Sequence, residues 1–224
     1  GMISPNMATL LSFVTTDAAV SPAALKQALK EACDVSMNSI TVDGDMSTND
    51  SLCVLANGQA GNKPIEGPDD PAYAEFVAAL TAVCTDLAKL IVRDGVGATK
   101  FLEINVRGAA SYADAKAAAM AVAKSPLVKT AFFGQDPNWG RILCAAGYSG
   151  AKIDPDKAML ALGGIVVARN GMNAPVVDAK ALQQVMAAQD IVVDLDLGVG
   201  GAAATVWTCD FSYEYVKINA DYST

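Results

Sequence analysis

Histidine is absent from the 224 residues of the chain, and its absence limits the chemistry that the side chains could perform. Ser-His-Asp and Cys-His mechanisms, and metal sites built on imidazole, are excluded within this sequence. If the protein is an enzyme, its base has to be a carboxylate, a lysine or an amine. A candidate nucleophile therefore has to work beside one of those groups.

Three carboxylates cluster in one polar segment, since Asp43, Asp45 and Asp50 lie within eight residues of one another. Their spacing and the position of Gly44 do not fit the EF-hand loop, so we predict no metal site here. Asp and Asn side chains also tie tight turns through local hydrogen bonds to the backbone. We therefore expect a turn that forms one wall of a site.

A second polar segment, Gly134–Arg141, combines turn residues with an aromatic ring and a cation. Asp136, Pro137 and Asn138 predict a turn that starts a helix, and Trp139 is expected to be a buried anchor. Arg141 could pair with a substrate carboxylate, or with Asp136 or another acid of the fold.

Four segments resemble motifs of the ornithine acetyltransferase (glutamate N-acetyltransferase) family, enzymes of arginine biosynthesis. Each match is modest alone, but the four occur in the family's order and extend from the first residue to the last. They are Gly1–Leu11, which contains Pro-Asn-Met-Ala-Thr, Ile40–Asp50, Gly134–Arg141 and Tyr215–Thr224. On these motifs the chain is identified as a member of that family.

The resemblance implies an enzyme of the N-terminal-nucleophile type, which cuts its own chain between Ala8 and Thr9. The new terminal Thr9 would then attack an acyl group, with its own α-amine as the base. That amine titrates near ~7.7–8.0 when unperturbed, so no histidine is needed. The resemblance also implies that Thr9, Asn219 and Thr224 bind the substrate.

The implied reaction transfers acetyl from N-acetylornithine to glutamate through an acetyl-threonine intermediate. No cofactor is needed, and acetyl-CoA is a second donor only if the enzyme is bifunctional. Two alternatives stay open. One is a self-processed, aminopeptidase-like hydrolase, in which water accepts the acyl group. The other is an inactive, unprocessed half-enzyme fragment.

The sequence departs from the family pattern at one binding position, because Val96 occupies the place of a substrate-binding glutamate. A further difference is that the family's N-terminal half, with a Thr-Gly oxyanion hole and a lysine, is not part of these residues. The resemblance therefore implies an N-terminal (α) half as partner, and assembly of the halves into a heterotetramer.

The composition excludes some classes of protein. Hydrophobic residues make up 52% and charged residues 18%, which is enough apolar surface for a large core. A net charge of -8 argues against binding to nucleic acid or to an anionic membrane surface. No stretch approaches the about 18 apolar residues of a membrane span. Together with five scattered cysteines, these features favour a cytoplasmic protein. The family resemblance implies that its substrates are small amino acids.

Helical and strand patterns alternate along the chain, which predicts an α/β fold with a layered mixed sheet in two lobes. We expect an irregular tail over residues 1–8, a catalytic lobe over residues 9–150 and a C-terminal lobe over residues 151–224. Ser21 and Pro22 predict the start of a helix. The apolar run from Leu127 to Phe133 predicts a strand.

Overall fold

The computed structural model of the chain describes residues 1–4, 6–8, 10–175 and 177–222. The chain divides into two compact units, Gly1–Leu90 and Ile91–Thr224. None of the described helices is long and apolar enough to cross a lipid bilayer.

The elements of the first unit are, in chain order, β1 (Ile3–Ser4), β2 (Met7–Ala8), β3 (Leu11–Thr16), α1 (Pro22–Val35), a 3-10 turn (Met37–Ser39), β4 (Ile40–Thr41), β5 (Ser51–Ala56) and most of α2 (Tyr73–Arg93). Strands β3 and β5 are parallel, and β1 and β2 form a short antiparallel pair. The prediction of an irregular tail over residues 1–8 is therefore wrong for Ile3–Ser4 and Met7–Ala8.

Helix α1 begins as its sequence predicts. The Ser21 hydroxyl accepts a hydrogen bond from the Ala24 amide, and Pro22 opens the first turn. Its inner face is made of small residues, Ala24, Ala28 and Ala32, which are 0–1% exposed. They pack in one core with residues of β3 and α2.

The elements of the second unit are, in chain order, β6 (Phe101–Ala109), α3 (Tyr112–Lys124), α4 (Pro126–Phe133), α5 (Trp139–Gly147), β7 (Met159–Leu162), β8 (Ile165–Arg169), β9 (Met172–Asn173), α6 (Ala179–Ala187), β10 (Asp190–Asp196), β11 (Ala202–Cys209) and α7 (Tyr213–Asp221). Its sheet has the order β11-β6-β10-β7-β8-β9. Strands β6 and β10 are parallel, whereas the other neighbours are antiparallel. The predicted α/β class with a layered mixed sheet is confirmed.

The segment after Lys124 is a helix, and our prediction of a strand over Leu127–Phe133 is wrong. Ser125 caps α4 by accepting a hydrogen bond from the Val128 amide, and Pro126 lies in the first turn. Every residue of the apolar run that we assigned to a strand is therefore helical.

The boundary between the two units also differs from the predicted one. We expected a division after residue 150, but β6 and β10, on either side of that point, pair over seven residues in one sheet. The buried side chains of both strands belong to a single core. The chain divides instead after Leu90, within α2.

Candidate active site

The predicted cleavage site follows the β1–β2 pair. Ala8 ends β2 and its backbone pairs with Ile3, while Ser4 pairs with Met7. Thr9, the predicted nucleophile, and Thr224, a predicted binding residue, lie outside the described residues. The geometry of the site is therefore defined by the residues that flank position 9.

The upstream flank is held by the Asp43 carboxylate. Its Oδ2 accepts a hydrogen bond from the Met2 amide at 2.7 Å, and its Oδ1 accepts one from the Ile3 amide at 3.3 Å. Met2 has a left-handed backbone with a φ of 55°. Such a conformation lets successive amides converge on one anion, which here is a side chain of the protein itself.

The carbonyl of Ile3 is fixed as firmly as its amide. It accepts one hydrogen bond from the Thr41 hydroxyl and one from the Val42 amide, both at 2.9 Å. Thr41 is fully buried and Ile3 is 5% exposed. Both polar groups of the Ile3 backbone are thus bound by residues 41–43.

The downstream flank is held by β5. The Leu10 carbonyl accepts a hydrogen bond from the Ser51 amide at 2.9 Å. From there β3 runs parallel to β5, with Leu11 opposite Ser51. The acidic segment that ends at Asp50 therefore connects the contacts on one side of the Ala8–Thr9 bond to those on the other.

The acidic segment also forms the local turns that its sequence predicts. The Gly44 amide donates to the Thr41 hydroxyl at 3.1 Å, and the Asp45 amide donates to Asp43 Oδ1 at 3.3 Å. Gly44 has a φ of 84°, a conformation that glycine adopts without a side-chain clash. Across the described parts of the chain, no group of three or more acidic or cysteine residues could hold a metal ion.

Val96, the residue at the family's glutamate position, lies half-buried in the turn between α2 and β6. The Gly97 carbonyl accepts a hydrogen bond from the Ser212 hydroxyl at 2.5 Å. A Cβ atom on Gly97 would lie 2.6 Å from the Tyr215 amide nitrogen, and the φ of this glycine is 66°. The turn that carries Val96 is thus packed directly on the first turn of α7.

Asp210 fixes the other side of this turn, a role that the sequence motifs did not reveal. Its Oδ1 accepts hydrogen bonds from the amides of Thr99 and Lys100 at 2.8 and 2.9 Å, and its Oδ2 accepts one from the Thr99 hydroxyl at 2.5 Å. The part of the turn that follows Val96 is therefore held by Asp210 and Ser212, the residues that lead into α7.

Helix α7 carries Asn219, and the ring contacts described for this helix lie at its beginning. Phe211 stacks on Tyr215 with the ring centroids 4.5 Å apart, and Phe133 meets Tyr213 edge to face. None of the α7 residues is buried. Asn219 is exposed, and its Nδ2 donates to the Tyr215 carbonyl at 2.8 Å.

Lys129 is a buried lysine that no sequence motif indicated. It is fully buried, and its Nζ donates to the Thr208 hydroxyl at 2.8 Å and to the Cys209 carbonyl. The same nitrogen lies 4.6 Å from the centroid of the Phe211 ring. Lys129 thus ties α4 to the polypeptide just ahead of α7. The Ser125-Pro126 helix start could have indicated that the segment carrying it is a helix.

The side chains of the Trp139 segment make contacts within the fold itself. Asn138 caps α5, and Trp139 is half-buried against the core, less than we predicted. The Trp139 Nε1 donates to Asn173 at 2.6 Å. Arg141 donates to the Leu127 carbonyl at 2.9 Å, while Asp136 accepts from Asn138. The described contacts therefore do not include the expected pair between Arg141 and Asp136.

Comparison with known proteins agrees with the motifs. The model of the ArgJ family matches residues 1–224. The arginine biosynthesis bifunctional proteins ArgJ of Geobacter sulfurreducens and Symbiobacterium thermophilum are 56% and 55% identical over the whole chain, which covers 57% and 55% of their lengths. The chain thus spans little more than half of these relatives.

A solved structure gives the same result. The crystal structure of arginine biosynthesis bifunctional protein ArgJ from Bacillus halodurans matches with a TM-score of 0.91 and 42% sequence identity. The match covers 96% of this chain and 100% of the solved one. The similarity extends across sequence and fold, and the chain belongs to the ArgJ family.

Proposed function

We propose that the chain is the nucleophile-bearing half of a glutamate N-acetyltransferase of arginine biosynthesis. Thr9 is made N-terminal by self-cleavage after Ala8 and transfers acetyl from N-acetylornithine to glutamate. The observation that carries this proposal is the attachment of the polypeptide on both sides of the Ala8–Thr9 bond. Asp43 and Thr41 bind the upstream flank, and Ser51 binds the downstream flank.

Self-cleavage begins when the Thr9 hydroxyl adds to the Ala8 carbonyl carbon. The C–N bond breaks, the nitrogen takes up a proton and becomes the α-amine of Thr9, and Ala8 is left as an ester on the threonine oxygen. Water then hydrolyses the ester, which gives the Ala8 carboxylate and a free hydroxyl. This sequence supplies the nucleophile and an amine base together.

Acetyl transfer uses the same two groups in two steps. The Thr9 oxygen attacks the acetyl carbonyl of N-acetylornithine and expels ornithine, whose nitrogen takes the proton. The glutamate amine then attacks the acetyl-threonine ester and regenerates the hydroxyl. The α-amine of Thr9, with an ordinary pKa of ~7.7–8.0, is the base. Asn219 and Thr224 are proposed to bind the amino-acid substrate.

The other half of the enzyme is proposed to be the segment that precedes this chain in its longer relatives. By the family resemblance it supplies a Thr-Gly oxyanion hole and a lysine. One oxyanion donor commonly contributes ~2.7–4 kcal/mol to catalysis, so this chain alone should be a poor enzyme. We propose that two such pairs of halves form a heterotetramer.

No cofactor is required by this scheme. Because the relatives are named as bifunctional proteins, we extend the proposal to acetyl-CoA as a second acetyl donor. We also propose a cytoplasmic location, which the five free cysteines favour because thiols stay reduced there.

A hydrolase remains the second candidate, and one observation favours it. Val96 cannot offer the carboxylate that the family glutamate would provide to a substrate amine. Water would then replace glutamate as the acceptor of the acyl group. Formation of N-acetylglutamate, measured beside the release of free acetate, separates transfer from hydrolysis.

The nucleophile is tested in the complete precursor with both halves present. Thr9→Ala should prevent self-cleavage and acetyl transfer, because the hydroxyl starts both reactions, whereas Thr9→Ser should retain both. Intact mass reports cleavage, and N-acetylglutamate formation reports transfer. Full transfer activity in the purified Thr9→Ala protein would contradict the assignment. If the wild-type precursor is neither cut nor active, the remaining alternative, an inactive and unprocessed half-enzyme, would be supported.

A further inference from the structure

Residues 2 and 3, which lie upstream of the proposed cleavage site, are held by contacts with distant residues. Two amides and one carbonyl of Met2 and Ile3 are bound by Thr41, Val42 and Asp43, residues about forty positions away. Met2 also adopts a left-handed backbone, which is unfavourable for a residue with a side chain. Unfavourable backbone of this kind persists only where surrounding contacts hold it.

The β1–β2 pair transmits this attachment to the bond that is cut. Ile3 lies opposite Ala8 and Ser4 lies opposite Met7 in the antiparallel register. A fixed Ile3 therefore limits where the Ala8 backbone can lie. The Ala8 carbonyl carbon is the atom that the Thr9 hydroxyl has to reach.

The segment around Ala8 is attached on its downstream side as well, because the Leu10 carbonyl is bound by the Ser51 amide. With the upstream attachment alone, the segment could rotate about that one point. An intramolecular attack gains most of its rate from a fixed approach of the reacting atoms, and small misplacements slow it severely. Attachment on both sides supplies that constraint.

We propose that Asp43 and Thr41 are positioning residues for self-cleavage. Neither residue exchanges a proton or a bond in the reaction. Both act through Ile3 on the placement of Ala8. The inference rests on the proposed function, because it concerns the self-cleavage step.

The test follows the rate of self-cleavage of the complete precursor made by cell-free synthesis, sampled over time by intact mass. Asp43→Asn keeps the size of the side chain but removes its charge and one acceptor. It should slow cleavage about ten- to a hundredfold, the scale expected for the loss of a hydrogen bond to a charged group. Thr41→Val should also slow cleavage, because it removes the hydroxyl that donates to the Ile3 carbonyl. Thr41→Ser keeps that hydroxyl and should restore the rate.

Asn62→Ala is the matched control. Asn62 Oδ1 accepts from the Ala19 amide at 2.8 Å and its Nδ2 donates to the Ala19 carbonyl at 3.0 Å, so it also ties together segments about forty residues apart in the first unit. Its loss should lower the melting temperature without slowing cleavage. A merely structural role of Asp43 would instead make cleavage follow stability in all variants.

The outcomes separate the two proposals. Wild-type cleavage rates in folded Asp43→Asn and Thr41→Val precursors would overturn the positioning role and leave the proposed function intact. If Asp43→Asn does not fold, the Thr41→Val and Thr41→Ser pair decides the question. A wild type that never cuts after Ala8 would overturn both proposals.

Discussion

Val96 is the residue at which substrate specificity is most open to test. It is half-buried, and its turn is tied to α7 through Gly97 and Ser212. In the complete enzyme, Val96→Glu should raise kcat/KM for N-acetylornithine about ten- to a hundredfold, because a carboxylate can bind the substrate amine. Turnover is measured together with melting temperature.

Val96→Gln is the control for that change, since it has the size of glutamate without its charge. It should improve turnover much less than Val96→Glu. An unchanged kcat/KM in a stable Val96→Glu protein would mean that this pocket does not use a carboxylate at position 96.

Ser4 offers a test of stability at the scale of one atom. Its hydroxyl is fully buried and has no hydrogen-bond partner among the described residues. An unsatisfied buried polar group costs about 1–3 kcal/mol. Ser4→Ala should therefore leave the free energy of unfolding unchanged or raise it, as measured by urea denaturation.

Ser39→Ala provides the comparison for Ser4. The Ser39 hydroxyl is also buried but donates to the Asp34 carbonyl at 3.3 Å. Its removal should lower the free energy of unfolding. Equal losses in the two variants would show that Ser4 has a partner in solution.

At the residue scale, the sequence predicted local contacts better than distant ones. The turn around Asp43 and Gly44 follows from residue types that bind their own backbone. The two amides that Asp43 also binds, at Met2 and Ile3, depend on tertiary folding. Nothing in the spacing of these residues could reveal that contact.

Among the elements, helix ends were the most predictable feature. A Ser-Pro pair starts α1, where we predicted a helix, and another starts α4, where we predicted a strand. The capping signal was the same in both cases. In α4 the continuous apolar run suggested a buried strand, and such a run does not distinguish a strand from a buried helix.

At the end of α7, a truncation should affect substrate binding without affecting stability. The helix has no buried residues, so removal of Ser223 and Thr224, which follow it, should lower the melting temperature little. If Thr224 binds substrate, the same truncation should raise the KM for N-acetylornithine in the complete enzyme. A large fall in melting temperature would assign these residues a structural role.

At the start of α7, Gly97→Ala should lower the melting temperature, in contrast to the truncation. The new Cβ would clash with the Tyr215 amide at 2.6 Å in a left-handed conformation. We expect a lower melting temperature, because rigid backbone rather than a movable side chain lies in the way. The two variants together locate where α7 is attached.

For the whole molecule, the reactivity of the free cysteines tests the burial pattern. Cys53 and Cys144 are exposed, whereas Cys84 and Cys209 are buried. Burial raises the pKa of Cys84 to about 11, so at pH 8 on the order of one in a thousand of its thiols is the reactive thiolate.

Iodoacetamide should therefore modify Cys53 and Cys144 first in the native chain, and Cys84 and Cys209 only after unfolding. Peptide mass mapping over time gives the order. Early modification of Cys84 would contradict the packing of α2 in the core of the first unit.

Fold class followed from the sequence, but the division of the whole chain did not. Alternating helix and strand patterns predict a mixed α/β fold without reference to which strands are neighbours. The division depends on those neighbours. Because β6 pairs with β10, residue 150 lies within one unit and not at a boundary between two.

The hydrogen bond between Leu10 and Ser51 has a consequence for the chain end that self-cleavage would create. A cut terminus normally frays and sweeps a large volume. Such an end would lie at most two residues from the anchored Leu10 carbonyl, which limits its reach to ~7 Å. One amine and one hydroxyl confined to a sphere of that radius have a local concentration on the order of 1 M. If Thr9 is the nucleophile, as proposed, the strand pair would act as a short tether that keeps it concentrated at one place through every turnover.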